Sequence, residues 1–490
     1  MKLADLLRDL PVLRAGVDTA ADVSSLAYNS REVKPGTLFF AIHGEKADGH
    51  VYIPQALERG AVAVVSERVA PPDLASRWIQ VAATRRALAD AGRIFFGHPE
   101  QHLRLIGITG TNGKTTTSYL VESVLGAAGI RSGVFGTIEY RMGGRTREAT
   151  NTTPESLDLL SYFAELVKAG GKAAVMEVSS HALAQERVWG FHYAVGVFTN
   201  LTQDHLDYHK DFEHYFQAKR RLFEGLGGPP PDWAVINTDD TWGKRLLELP
   251  YPHSLTYGLN GEAQVRPQQV ASNPKGTEAV IETPAGKLRV VSRLLGRANL
   301  QNILAAVATG VAMGIASSKI EEGIAQIQTV PGRFEQIDEG QPFLVVVDYA
   351  HTDDALKNAL RTARELTRDR LIVLFGCGGE RDRTKRPLMG EAAGSLADFV
   401  VLTSDNPRSE DPLLILADAM VGLQRTGKPY IAEVDRGLAI RRALEEAREG
   451  DVVVLAGKGH ETYQILKDGK IDFDDRVVAH KILAEMGYGK

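Results

Sequence analysis

The chain has little sulfur and no long apolar run. Of its 490 residues one is cysteine, Cys377. A lone thiol excludes a disulfide within the chain and fits a reducing compartment, so a cytoplasmic setting is expected. In the turn Gly376-Cys-Gly-Gly379 it reads as a small residue in a tight bend. No apolar stretch approaches the ~18 residues that a membrane-spanning helix needs. The opening Met1–Gly16 breaks its apolar residues with Asp5, Arg8 and Asp9, against the pattern of a secretory leader. Basic excess is also missing: 57 Lys and Arg face 62 Asp and Glu, a formal net charge of −5. A nucleic-acid or acidic-membrane partner is therefore not expected, and any anionic ligand must be met by local clusters of Lys and Arg. There is no internal repeat, no low-complexity tract and no Cys/His set with zinc spacing. Nothing signals an oligomer, so a monomer is the default.

What is present is a soluble-protein composition, with 43% hydrophobic and 24% charged residues. The length suits about three domains of ~150 residues each. Apolar runs at 37–42 and 61–65 read as strands of a small first unit, 1–87. A second unit, 88–331, holds strands at 104–109, 173–178, 193–199 and 233–237, then β-hairpin material over 260–297. Pro331-Gly332 marks a hinge into a third unit, 332–490, with strands at 344–348, 371–375, 399–403 and 451–456, each followed by a helical pattern. Near-continuous Val, Ile and Leu strands alternating with helices predict an α/β fold with parallel sheets covered on both faces.

The most informative segment is Leu105-Ile-Gly-Ile-Thr-Gly-Thr-Asn-Gly-Lys-Thr-Thr-Thr117. An apolar strand runs into a glycine-rich loop and then a helix over about 114–129. Gly110, Thr111, Asn112 and Gly113 allow successive backbone N–H groups to converge on phosphate. Lys114 supplies a point charge, and Thr115 or Thr116 a hydroxyl for Mg²⁺. The positive helix end adds only about 0.3–1 kcal/mol, so lysine and metal must supply most of the neutralisation. The strict pattern G-x-x-x-x-G-K-T is not met, because Ile108 stands at its first glycine.

The other polar motifs fall just beyond strands, where open parallel sheets bind ligands. Glu177 ends the strand at 173–178; a buried carboxylate there suits Mg²⁺, bound directly or one step behind it, or else it caps a helix. His205 lies in a His- and Asp-rich stretch, 203–214, that either holds a second cation or is a solvated loop. Lys219, on a helix predicted over 211–226, reads as part of an exposed basic stretch, and nothing in the pattern separates it from Arg220. Asp348, in Asp-Tyr-Ala-His351, suits a ribose diol. Arg333, past the hinge, either reaches a γ-phosphate and senses closure or is a surface arginine. Arg381, and Arg408 in Asp405-Asn406-Pro407-Arg408, offer forks for carboxylates; the alternative is an Asx-Pro turn with an exposed arginine. A cleft between the second and third units is therefore expected to hold ATP.

Together T-G-T-N-G-K-T (109–115), M-E-V-S-S-H (176–181), T-N-L-x-x-D-H-x-D-x-H (199–209), N-x-x-N-x-x-A-A (299–306), P-G-R-x-E (331–335) and D-Y-A-H (348–351) resemble the Mur ligase family. The resemblance covers all three units in order. It implies a small N-terminal α/β domain for a UDP-sugar, a central P-loop ATPase-like parallel-sheet domain and a C-terminal Rossmann-like domain for an amino acid. It also implies an ATP- and Mg²⁺-dependent amide ligase that extends the peptide of a peptidoglycan precursor, acting on small molecules. By the same resemblance Asn299 and His351 join Gly110–Thr116, Arg333 and Asp348 around ATP. Lys219 is the lysine carbamylated by CO₂, which adds an Mg²⁺-binding anion beside Thr115, Glu177 and His205. Asn151, Thr152, Thr153, Ser179, Gln185 and Arg187 contact the UDP-muramoyl dipeptide, with Tyr28, Ser30, Glu45, Lys46 and Ala47 toward the uridine diphosphate. Asp405 to Arg408, with Arg381, Gly457 and Glu461, resemble the meso-diaminopimelate motif of one branch. Lysine as acceptor, a P-loop phosphotransferase, a nucleotide-gated binding module and a folate polyglutamylating ligase are the competing readings.

Overall fold

The computed structural model describes residues 1–44, 47–273 and 275–489, and three parallel-type sheets succeed one another along it. The first has the order Val12–Ala15, Trp78–Val81, Ala61–Ser66, Thr37–Phe40, Ser25–Ala27, parallel except for its first pair. The helix Thr84–Phe96 crosses residue 87 and places Ala87, Leu88 and Ala91 in the core of this sheet. Leu157, from the helix Ser156–Lys168, enters the same core, so first and second units are joined by packing.

The second sheet runs His253–Tyr257, Trp233–Asn237, Val195–Phe198, Arg104–Thr109, Ala173–Glu177, Ser132–Phe135, Glu139–Met142, Arg145–Glu148. Its first six strands are parallel and its last two antiparallel. Side chains of Arg104–Thr109 alternate between two cores. Ile106 and Ile108 pack with Leu120, Val124 and Ile303 on one face; Leu105 packs with Leu159, Phe163 and Leu222 on the other. Burial on both faces explains the unbroken apolar runs and puts the phosphate loop at the centre of the sheet. The expected hairpin region is a three-stranded antiparallel sheet, Arg266–Asn273, Gly276–Thr283 and Gly286–Ser292, whose Ile281, Leu288 and Val290 join the first of these cores.

The third sheet runs Glu335–Ile337, Leu344–Asp348, Val452–Ala456, Leu371–Cys377, Phe399–Ser404, Tyr430–Glu433, parallel after an antiparallel first pair. One expectation fails here. The strand Val452–Ala456 is not followed directly by a helix; the chain makes the hairpin Tyr463–Leu466 and Gly469–Asp472 before the helix Asp475–Glu485. The glycines at 457 and 459, at φ +116° and +52°, turn the backbone away from the helical path.

Beneath this turn Arg436 and Asp475 are fully buried together. Arg436 Nε and Nη2 donate to the two carboxylate oxygens at 2.7 and 2.6 Å. Its remaining donors reach the carbonyls of Ser404 at 3.2 Å and Ala456 at 3.0 Å. One guanidinium thus ties the ends of the two strands that lead into Asp405 and Gly457. Removing one partner of such a pair strands a buried charge, which costs about 3–5 kcal/mol. Arg436→Met is expected to lower the unfolding free energy of the third unit by that amount in urea denaturation. Arg436→Met/Asp475→Leu, with no charge left unpaired, is expected to lose markedly less.

Candidate active site

The phosphate loop is held open by its surroundings. Gly110 has φ +148°, and a Cβ there would fall 1.8 Å from Thr199 Oγ1. Gly113, at φ +87°, faces Asn302, whose Oδ1 would lie 2.4 Å from a Cβ. Thr111 N donates to the carbonyl of Asn200 at 2.8 Å and Asn112 N to Asn200 Oδ1 at 2.9 Å, anchoring the loop to the neighbouring strand end.

Lys114 Nζ donates to the carbonyls of Gly110 and Thr111 at 2.9 and 2.8 Å. Lys219 Nζ donates to the same Gly110 carbonyl at 2.8 Å and lies 4.4 Å from the centre of the Tyr215 ring. The expectation of an exposed Lys219 is corrected: its residue is 1% exposed, whereas Arg220 is half-buried and paired with Glu224 at 2.9 Å. Helical periodicity turns 219 inward together with Tyr215, Phe216 and Leu222. Burial and the neighbouring Lys114 ammonium hold the Lys219 amine well below the ordinary lysine range. Lys114 is lowered too, by burial, against the pull of Glu177 and Asp204.

Arg333 reaches across from the hinge, its Nη2 donating to Thr115 Oγ1 at 3.2 Å. Its guanidinium lies 4.9 Å from the centre of the Tyr349 ring, while its Nε is buried without a partner among the described residues. Asp348 accepts from the backbone N–H of Phe334 at 2.8 Å, and burial raises its carboxyl. His351 is exposed and bonded through Nδ1 to the Tyr349 carbonyl at 2.8 Å. Asn299 Nδ2 donates to Leu295 O at 3.0 Å, and its Oδ1 accepts from Asn302 Nδ2 at 3.1 Å. Asn302, the second asparagine of N-x-x-N, is the one against the loop; the motif contained it but pattern alone did not single it out.

Glu177 is 1% exposed and accepts from Thr137 N at 3.0 Å and Thr137 Oγ1 at 2.9 Å. It does not cap a helix; Ser179 does, accepting from Ala182 N at 3.2 Å. Thr152 Oγ1 lies 3.1 Å from Thr137 Oγ1, and Thr153 Oγ1 donates to Glu177 O at 2.8 Å. Arg187 Nη1 donates to Thr153 O at 3.0 Å, and Arg187 Nε and Nη2 donate to Gln185 Oε1 at 3.1 and 2.8 Å. Asn151 N donates to Tyr140 OH at 3.0 Å. Thr152, Thr153, Ser179, Gln185 and Arg187 thus form one chain of contacts leading from the Glu177 strand end, with Asn151 held on Tyr140, Arg187 paired with Glu155 at 3.2 Å, and Thr137, for which the sequence carried no signal, on the Glu177 carboxylate.

The first-unit candidates lie elsewhere. Tyr28 OH donates to Asp158 Oδ2 at 2.6 Å, and Ser30 Oγ donates to Gln55 Oε1 at 2.7 Å. Burial raises the Asp158 carboxyl to about 6. Ala47 is exposed. Glu45 and Lys46 lie outside the described residues.

A cavity of about 420 Å³ joins the central and third units. His181, Asp204 and His205 line one side; Arg381, Asp405, Asn406, Arg408, Gly457 and Glu461 line the other. Arg408, at φ +55°, donates through Nη1 to the Gly379 carbonyl, and a Cβ on Gly378 would meet Arg408 Nη1 at 3.4 Å and Arg381 Cγ at 3.5 Å. The Arg408 guanidinium and the aliphatic stem of Arg381 thus both border this glycine turn. Pro407 packs its backbone against Gly379. Asn406 Nδ2 donates to Glu461 Oε2 at 2.9 Å. Lys458, unremarked in the sequence, is fully buried among these residues.

Among the described residues no group of three or more His, Cys, Asp or Glu side chains is arranged to hold a metal by itself. Mg²⁺ keeps waters and phosphate oxygens and takes only one or two protein ligands, chiefly oxygens. Thr115 Oγ1, Glu177 and His205 are the groups available for it, and a carboxylated Lys219 would add an oxygen anion beside Gly110.

Sequence profiles match in three blocks: the Mur ligase family catalytic domain over 22–95, the Mur ligase middle domain over 108–310 and the Mur ligase glutamate ligase domain over 332–459. The UDP-N-acetylmuramoyl-L-alanyl-D-glutamate–2,6-diaminopimelate ligase of Solibacter usitatus (strain Ellin6076) is 57% identical, with 100% of this chain and 99% of that protein covered. The ligase of the same name from Geobacillus thermodenitrificans (strain NG80-2) is 47% identical, with 99% and 100% covered. A solved structure of a ligase of that name superposes with a TM-score of 0.71 at 32% identity, with 100% and 99% of the two chains covered.

Burial, with help from His181, Lys114 and Lys219 and against the pull of Asp204, lowers the His205 imidazole to about 4. Its ring is therefore neutral at pH 7 and able to offer a lone pair. In an NMR titration the His205 ring is expected to protonate near pH 4 and to show no step between pH 6 and 7. Because its folded-state value lies below the unfolded 6.5, its contribution to stability is present at neutral pH and is lost as pH falls from 6.5 toward 4.

Proposed function

The chain belongs to the Mur ligase family, and from that premise we infer that it is an ATP-dependent amide ligase. It joins meso-2,6-diaminopimelate to the D-glutamate of UDP-N-acetylmuramoyl-L-alanyl-D-glutamate in peptidoglycan precursor synthesis. The observation that carries this reading is the cavity lined by His181, Asp204 and His205 of the central unit and by Arg381, Asp405, Arg408 and Glu461 of the third, charges of both signs that suit a zwitterionic amino acid. We assign the three units 1–87, 88–331 and 332–490 to the UDP-sugar, ATP and the amino acid, and take the enzyme to act as a cytoplasmic monomer on small molecules.

The chemistry follows from the weakness of a carboxylate as an electrophile. The γ-phosphoryl group of ATP passes in line to the glutamate side-chain carboxylate, giving an acyl phosphate and ADP. The acceptor amine, as its neutral form, attacks the acyl carbon. The tetrahedral intermediate collapses to the amide and inorganic phosphate, and the amine proton leaves to solvent or phosphate. Lys114 and the loop amides hold the phosphates; Arg333, coming from the hinge, meets the γ-phosphate from the opposite side. Ser179, Gln185, Arg187 and Asn151 to Thr153 orient the acceptor peptide, and Tyr28, Ser30 and the segment 45–47 face its nucleotide. Asp348, His351 and Asn299 border the nucleoside of ATP. Thr115, Glu177, His205 and Lys219 as its carbamate would hold Mg²⁺, which would supply charge neutralisation for the phosphates and the acceptor carboxylate. In its neutral form the Lys219 amine would add CO₂ through its lone pair, giving the carbamate and releasing one proton, and burial, which lowers that amine, favours this form. Closure of the third unit keeps water from the acyl phosphate.

The test is phosphate release from ATP with the UDP-muramoyl dipeptide, with and without diaminopimelate. Release that needs both substrates is expected; release indifferent to the amine would overturn the reading. Lys114→Ala is expected to lower amide formation on the order of 10³-fold. Diaminopimelate differs from lysine by one carboxylate, and a site built to pair it rejects the analogue by ~10⁴–10⁵, against ~10² from shape alone. Arg408→Ala is accordingly expected to bring the diaminopimelate-to-lysine ratio of kcat/KM down to about 10².

A further inference from the structure

The buried ammonium of Lys458 sits inside the amino-acid pocket without facing the cavity. It is 0% exposed. Nζ donates to Glu461 Oε2 at 2.9 Å and to Asn406 Oδ1 at 3.2 Å, and lies 4.0 Å from Asp405 Oδ1. The face of Tyr463 closes its remaining side, 5.7 Å from the ring centre.

These contacts decide how the pocket is presented. Asn406 Oδ1 accepts from both Lys458 and Ile465 N, at 3.2 and 2.9 Å, so both its lone pairs are used. The amide is therefore locked with its N–H₂ toward Glu461, to whose Oε2 it donates at 2.9 Å. Glu461 Oε2 takes two donors, and among the described residues its Oε1 has none. Two carboxylates, Asp405 and Glu461, stand against one ammonium. The set keeps a net negative charge and one free carboxylate oxygen beside the cavity, which is a receptor for a ligand ammonium.

Only one of the two amines of the acceptor can use it. The amine that attacks the acyl phosphate must be neutral and near the phosphate loop; the other stays protonated. We propose that Lys458 is a positioning residue for that second, non-reacting ammonium: by pinning Glu461 Oε2 and the Asn406 amide it aims Glu461 Oε1 into the pocket. The proposal rests on the ligase reading given above. Lys458 touches neither substrate nor phosphate, and acts through Glu461 and Asn406.

The experiment compares wild type, Lys458→Met, Glu461→Gln and Lys458→Met/Glu461→Gln with two acceptors: diaminopimelate, and 2-aminopimelate, which lacks the second amine. For Lys458→Met the KM for diaminopimelate is expected to rise at least 30-fold, with the KM for ATP and for the UDP-muramoyl dipeptide within twofold of wild type. With 2-aminopimelate, wild type and variant are expected to agree within threefold. A general loss of structure would instead harm both acceptors alike. The double variant leaves no unpaired Glu461 charge and serves if the single one fails to fold; its KM for diaminopimelate is expected to match that of Glu461→Gln within threefold. An unchanged KM in Lys458→Met, an equal loss with both acceptors, or a double variant a further tenfold worse than Glu461→Gln would overturn the role of Lys458. Failure of the ligase reading is separate: wild-type enzyme would then release no phosphate in response to diaminopimelate.

Discussion

Two lysine ammonium groups share one carbonyl oxygen at the centre of this protein. Lys114 and Lys219 both donate to Gly110 O, and Arg333 arrives on Thr115 a few atoms away. Like charges this close repel strongly where water is scarce. Glu177 and Asp204 offset part of that field, and burial holds both amines below the ordinary lysine range. What the arrangement demands is a polyanion. The helix end beneath the loop contributes only about 0.3–1 kcal/mol to meeting it, so the lysines dominate. The same crowding, added to burial, holds the Lys219 amine well below the ordinary lysine range.

The remaining architecture serves to bring charged groups to this point from separate sheets. Parallel strands deliver their reactive residues at one edge, because every strand runs the same way. Thr109, Glu177 and Phe198 end neighbouring strands of the central sheet; Asp348, Ser404 and Ala456 do so in the third. The turn at Pro331-Gly332 joins the two units. Gly332 cannot carry a side chain there, since a Cβ would lie 2.0 Å from His460 N. Contact between the units combines apolar packing, Leu295 of the second unit lying in the core of the third, with cations at hydroxyl or acidic partners: Arg333 on Thr115 and, at the rim, Lys470 3.8 Å from Glu148. The rim pair is exposed and worth little; the half-buried Arg333 ties the third unit to the first turn of the helix after the phosphate loop.

Much of this was legible along the chain. The strands at Arg104–Thr109, Trp233–Asn237 and Leu344–Asp348 are continuous apolar runs because both of their faces are covered, and such runs survive in sequence as composition. The short edge strands Val12–Ala15, Ser25–Ala27 and Tyr430–Glu433 were not legible, since half-exposed edges carry mixed residues. The hairpin Tyr463–Leu466 and Gly469–Asp472 interrupted an expected strand-to-helix step for the same reason. Among site residues, Lys114 and Glu177 stood out because a glycine loop and a carboxylate at a strand end are costly anywhere but at a ligand. Thr137, Asn302 and Lys458 did not, because a threonine, an asparagine and a lysine are unremarkable until their neighbours are known.

Local chemistry therefore determined which segments could bind phosphate, which strands would be buried, and in what order the units succeed one another. Each of these depends on residues within a few positions of one another. Tertiary structure alone decided that Lys219 faces inward while Arg220 faces out, that Arg333 reaches Thr115 across 218 positions, and that Lys458 lies between Asn406 and Glu461. Charge pairing and desolvation act through space, at a few ångströms, and the separation of two residues along the chain does not set that distance.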